Sequence, residues 1–175
     1  MRRVTPHLRE LLAETVTPLA VYQRLKALSP VRFLFESVTG GEQVARFSFL
    51  GAAPREIYRL YPDRLEVERD GRRSDLPGKP LAALRTLVEG YSTPELPVPF
   101  AGGFVGTFGF DLVRLVERIP ARPPDPWGLP VAILGRFDDI IAFGHAQQRL
   151  LLVANEIEGE TTAAEAERAL DRLEG

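Results

Sequence analysis

Residues 31–51, VRFLFESVTGGEQVARFSFLG, constrain the fold more than any other stretch of the chain. Two runs rich in Phe, Leu and Val, at 32–38 and 45–50, flank a turn region containing Gly40 and Gly41, the pattern of two antiparallel strands. Successive strand side chains point to opposite faces, so Phe33, Phe35 and Ser37 share one face of the first run and Leu34, Glu36 and Val38 the other. In the second run Phe47 and Phe49 lie opposite Arg46, Ser48 and Leu50. A carboxylate and two hydroxyls therefore sit where strands normally exclude charge, and each needs a partner there. Two readings account for them. In the first, Glu36 is solvated on an edge or paired with Arg32 or Arg46, and Ser37 bonds to nearby backbone. In the second, Glu36, Ser37 and Ser48 line a small polar pocket for a ligand ammonium group, walled by Leu34, Val38 and aromatic rings.

A chain of 175 residues has the size of one domain with a substantial core. It carries no apolar run long enough for a bilayer and no signal-type segment, so a cytoplasmic location without a membrane partner is expected. The lack of cysteine excludes disulfides and thiolate chemistry. A net charge of −2, from 22 basic and 24 acidic residues interspersed along the chain, leaves no footprint for nucleic acid.

Residues 1–16 are mixed and read as an arm or irregular helix, with Leu8, Leu11 and Leu12 able to dock on the body. Thr17 and Pro18 signal a helix start, and Leu19, Tyr22 and Leu25 recur at helical spacing, so a helix over 18–28 is expected. Strands follow at 56–60 and 64–69, with a tight turn at Asp70-Gly71 and a short return strand or loop from Arg72. Pro80 opens a helix whose stripe is Leu81, Leu84, Leu87 and Val88, closed by Gly90. An exposed proline-rich connector at 91–99 precedes a glycine-rich strand at 100–110. Asp111 then caps a helix to about residue 118, with Leu112, Leu115, Val116 and Ile119 inward. After a proline-rich loop at 120–130 that holds Trp127, strands are expected at 131–136, 139–143 and 149–154. Thr162 and Glu165 form a capping box for a terminal helix through Ala166, Ala169, Leu170 and Leu173. These elements predict an α+β fold, a single domain with antiparallel strands in two packed layers and helices flanking them.

Catalytic chemistry is hard to find in this pattern. Gly103, Gly106 and Gly109 precede a helix, yet Phe104 and Val105 break the dinucleotide spacing, so these glycines read as places where a neighbouring backbone crowds the strand. His7 and His145 have no clear partner, and His145 reads as a turn residue. Asp138 and Asp139 point to opposite faces, Asp111 is a helix cap, and Arg114 with Glu117 forms a surface ion pair. Neither a catalytic centre nor a metal site is expected.

The L-x-E-S of 34–37, the R-F-S-F-x-G of 46–51, the G-G-x-x-G-x-x-G-F-D of 102–111, the D-L-V-R-x-x-E-R-I-P of 111–120 and the G-L-P of 128–130 occur in one order. Together, over about 17–155, they resemble the amino-terminal domain of anthranilate synthase component I. The resemblance implies a non-catalytic, regulatory domain. Tryptophan is its feedback effector, with Glu36 and Ser37 holding the α-ammonium, Ser48 adding a hydroxyl, and Leu34 and Val38 at the indole or pocket wall. It also implies a chorismate-binding catalytic domain beyond the terminal helix at 160–175, where Mg²⁺ would bind, and a glutamine amidotransferase partner supplying ammonia; no cofactor falls to this chain. Phe35 stands where an aliphatic residue is usual, and Thr107 and Phe110 where tyrosines are frequent. Aminodeoxychorismate synthase component I shares the fold and some glycine motifs, but the E-S and D-L-V-R-x-x-E-R-I-P wording favours the anthranilate enzyme. A purely structural docking domain and a free-standing binder of another amino acid are the remaining readings.

Overall fold

The computed structural model describes residues 1–36, 47–120 and 125–175. The strands in chain order are β1 (Arg2–Leu12), β2 (Arg32–Phe35), β3 (Phe47–Ala52), β4 (Glu56–Leu60), β5 (Leu65–Arg69), β6 (Arg72–Leu76), β7 (Tyr91–Ser92), β8 (Gly103–Phe108), β9 (Ala132–Phe137), β10 (Asp139–Gly144) and β11 (Arg149–Ile157). Among the described residues the helices are α1 (Pro18–Arg24), α2 (Pro80–Val88) and α3 (Ala163–Glu174). They form two sheets of mostly antiparallel strands with a few helices, the expected α+β class. The chain divides into two compact units. Met1–Pro54, Tyr91–Gly103 and Phe137–Gly175 make the first, and Arg55–Gly90 with Phe104–Arg136 the second.

The first unit holds a six-stranded sheet in the order β2-β3-β10-β11-β1-β7. The segment expected to be an arm is β1, paired antiparallel with β11 from Val4 opposite Ile157 to Leu12 opposite Arg149. Its sequence hides the strand because one face is charged and is matched by charge on α3. Arg9 donates to Asp171 at 2.8 Å and to Glu174 at 2.6 Å, so no apolar alternation is needed there. The proline-rich connector contributes β7, which runs parallel to β1.

Both helix starts in this unit follow from their caps. Thr17 accepts from the Ala20 N–H at 3.2 Å with Pro18 in the first turn, and a 3-10 turn at Leu25–Ala27 carries the winding onward. Val21 and Leu25 face the core, whereas Leu19, expected in the stripe, is exposed. At α3 the Thr162 side chain accepts from the Glu165 N–H and the Glu165 carboxylate accepts from the Thr162 N–H, the full capping box. Ala166, Ala169 and Leu170 then pack with Leu50, Ile141, Leu152 and Val21 on one face of the sheet. Phe33, Phe49, Phe100 and Phe137 make edge-on ring contacts in a separate aromatic cluster.

The second unit holds a five-stranded sheet in the order β6-β5-β4-β9-β8, with Tyr58, Leu60, Leu65, Val67 and Leu134 packing against Leu84 of α2. Asp70 and Gly71 both take positive φ, 51° and 73°, as a two-residue hairpin turn requires. At Gly106 an added Cβ would lie 1.9 Å from the Ile133 carbonyl oxygen, so the crowded-backbone reading of this glycine holds.

The helix expected after Asp111 is a 3-10 turn at Phe110–Leu115 with Gly109 at its N-cap. Asp111 is therefore inside the turn. It accepts from Arg114 at 2.8 Å, the ion pair that Glu117 was expected to make. In a 3-10 winding, side chains three apart eclipse, so Leu112 and Leu115 reach the core together while Val116 and Ile119, expected inward, are exposed.

Candidate functional site

β3 lies between β2 and β10, with Leu34 opposite Leu50 on one side and Phe143 opposite Ser48 on the other. Residues directly opposite share a face, so Ser48, Leu50, Leu34 and Phe143 lie on the helix-covered side. Ser48, paired with Phe143 of β10, is fully buried, a hydroxyl in an apolar layer. Its partner comes from the end of β10. His145 stands two residues beyond Phe143 and so on the same face, its ring 5.0 Å from the Phe143 ring, with Nε2 2.8 Å from Ser48 Oγ. His145 itself is exposed.

The five residues expected to bind a ligand fare differently. Leu34 is half-buried against the first core, and Ser48 is sealed beneath it on the same face. Glu36 is the residue after the last ladder pair, Phe35 opposite Phe49, and is exposed. Ser37 and Val38 lie outside the described residues, as do Arg46 and the turn at Gly40 and Gly41.

Both histidines have partners that the sequence reading did not supply. The signal for His145 was present in the alternation of β10, which carries the Phe143 face on to position 145. His7 faces Glu156 at 3.2 Å through Nε2 and Glu167 at 3.1 Å through Nδ1. The hydrogen bond to Glu156, helped by Glu167 and opposed by partial burial, raises its pKa above the ordinary 6.5.

A second buried polar group sits in the other unit. Glu56 of β4 accepts from the Tyr58 hydroxyl and from Arg69, and lies 3.3 Å from Arg136. Burial alone would raise its pKa, but Tyr58, Arg69 and Arg136 together hold it below the ordinary carboxylate range. A carboxylate so enclosed ties β4, β5 and β9 together and has little capacity left for a ligand.

Serine with histidine is a nucleophile-and-base pairing in principle, yet a serine without exposed surface cannot meet an electrophile arriving from solvent. What the pair offers is hydrogen bonding. Among the described residues no three His, Asp or Glu side chains are grouped to hold a metal ion, and no helix is long and apolar enough to cross a membrane.

No family model matches the chain. Curated relatives do. Anthranilate synthase component 1 of Thermus thermophilus is 37% identical over 177 residues, which is 100% of this chain and 37% of the relative. That of Acetivibrio thermocellus is 33% identical over 156 residues, 87% of this chain and 31% of the relative. The chain is homologous to part of anthranilate synthase component 1. It spans about a third of the length of these relatives, consistent with an amino-terminal domain. The crystal structure of anthranilate synthase component I from Streptococcus pneumoniae has the same fold, with a TM-score of 0.62 at 22% identity, covering 93% of this chain and 35% of that one.

Proposed function

We propose that this chain is the non-catalytic amino-terminal domain of an anthranilate synthase component I and forms most of a tryptophan feedback-inhibition pocket. One observation carries the reading: relatives of that name align with up to the whole chain while extending well beyond its length. In this reading a chorismate-binding catalytic domain with Mg²⁺ produces anthranilate and pyruvate, using ammonia from a glutamine amidotransferase partner. The assembly works in the cytoplasm, in tryptophan biosynthesis. Glu36 and Ser37 hold the effector's α-ammonium, Ser48 adds its hydroxyl, and Leu34 and Val38 contact the indole or pocket wall. That Leu34 and Ser48 share one face of the first sheet supports this. Occupancy then biases a two-state arrangement of the regulatory and catalytic parts.

Calorimetry with L-tryptophan, on this chain with the catalytic domain present, tests the pocket. We expect saturable binding that Ser37→Ala weakens by about tenfold, the loss of one hydrogen bond to a charged group. Preference for phenylalanine or tyrosine would reassign the effector, and absence of binding by every aromatic amino acid would remove it. Formation of aminodeoxychorismate by the assembled enzyme would move the chain to the folate branch.

A docking role is favoured by a separate observation. Phe108, Phe110, Val116, Trp127 and Leu129 of the second unit are all exposed, which is costly unless a partner covers them. Trp127 is the only tryptophan, so its emission reports the event directly. It should shift to shorter wavelength when the catalytic or amidotransferase partner is added, and an unchanged spectrum argues against contact there.

A further inference from the structure

Residues 93–101, which follow β7 in the first unit, are held there by very little hydrogen bonding. Pro94, Pro97 and Pro99 have no N–H to offer, and among the described residues the one hydrogen bond to this segment ends on the Ala101 carbonyl. Its donor is Asn155 Nδ2 of β11, at 2.7 Å. Apolar side chains supply the rest of the grip. Val98 is 6% exposed, and the Phe100 ring stands edge-on to Phe49 at 5.6 Å and to Phe33 at 6.3 Å. A segment tied in this way opens locally at a much lower cost than β10 or β11, each of which would have to give up ladders on both sides.

Asn155, by contrast, is a fixed post. Its backbone N–H donates to the Asp138 carbonyl at 3.1 Å, and its own carbonyl accepts from Thr161 Oγ1 at 3.1 Å. The buried side-chain amide donates to Asp138 at 2.6 Å as well as to Ala101, so it joins the segment to the turn between β9 and β10. Gly102 permits this close approach. A Cβ there would stand 2.7 Å from Asn155 Nδ2 and 2.8 Å from the Phe137 carbonyl oxygen, and its φ of 120° is one that other residues rarely adopt. We propose that residues 93–101 form a strap, latched by the Asn155 amide, that lifts Phe100 off the Phe33 and Phe49 rings while the six-stranded sheet stays folded. The closed strap is the state in this structure. Opening it offers an aromatic surface that the closed state withholds, the arrangement of a cryptic apolar site. The device does not depend on the effector reading above, since it uses none of the residues assigned to that pocket.

The chain has no cysteine, so Val98→Cys supplies a single thiol whose reaction with an excess of an aromatic disulfide reagent reads the strap. Ile141→Cys, sealed in β10, is the reference for unfolding of the whole unit. In otherwise native chains the thiol of Val98→Cys should react at least about tenfold faster than that of Ile141→Cys. Adding Asn155→Ala should accelerate the first by about fivefold, the loss of one hydrogen bond, and change the second by less than about twofold. Gly102→Ala, which drives a Cβ against the same amide from the strap side, should act in the same direction and decides the matter if Asn155→Ala disturbs the sheet. Equal rates for the two thiols in otherwise native chains would mean that the segment opens only with the whole unit, and would overturn the strap. Acceleration of neither thiol, or of both alike, by the two variants would remove the latch.

Discussion

Glu56 of β4 and Ser48 of β3 are both buried polar side chains on interior strands of their sheets, and they are held in opposite ways. Glu56 is a charge, and three donors from Tyr58, Arg69 and Arg136 enclose it. Ser48 is neutral, and one imidazole at the protein surface suffices for it. Desolvating a carboxylate costs far more than desolvating a hydroxyl, so the first needs fixed cations on every side, while the second tolerates spare lone pairs.

The contrast breaks most visibly at Glu56. In Glu56→Gln the compensating charge is gone while Arg136 stays buried, so urea unfolding should show a loss of about 3 kcal/mol. A loss below about 1 kcal/mol would put the two sites in the same class. Ser48→Ala should cost only about 1 kcal/mol, and a double-mutant cycle with His145→Ala should return a coupling of similar size. Zero coupling would mean that the bond contributes nothing to the fold.

His7 gives the smallest and most finely graded case, a titrating group only partly covered. Its folded-state pKa is raised by Glu156 and Glu167, so the protonated form is the one the fold favours. That stabilisation is complete below the ordinary 6.5 and fades as pH rises through the raised value. Wild type should therefore exceed His7→Gln by on the order of 0.5 kcal/mol near about pH 6, with the difference gone by about pH 9. A difference that grows with pH would contradict the assignment.

Much of this was legible in the residues. Thr17 with Pro18, Thr162 with Glu165, and Asp70 with Gly71 act on their immediate neighbours, and each produced the expected cap or turn. The alternation of Leu65 and Val67 with charged residues gave β5 directly. Of the candidate site, the face of Leu34 within β2 and of Ser48 within β3 followed from strand parity, a local property, whereas the register made the two faces one. The Asp111 cap was misread because Gly109 takes that place, and His145, a turn residue as expected, has a serine partner that only the pairing of β3 with β10 supplies.

Local spacing and capping chemistry by themselves determined the α+β class, most strands and the two best helix starts, since those signals act within a few residues. Tertiary structure alone decided that the charged amino terminus is a strand, that Ser48 is sealed, and that His145 holds its hydroxyl. The physical reason is distance along the chain. His7 meets a carboxylate 160 positions away and Ser48 an imidazole 97 positions away, so the compensation that permits each buried or charged group is written nowhere near it.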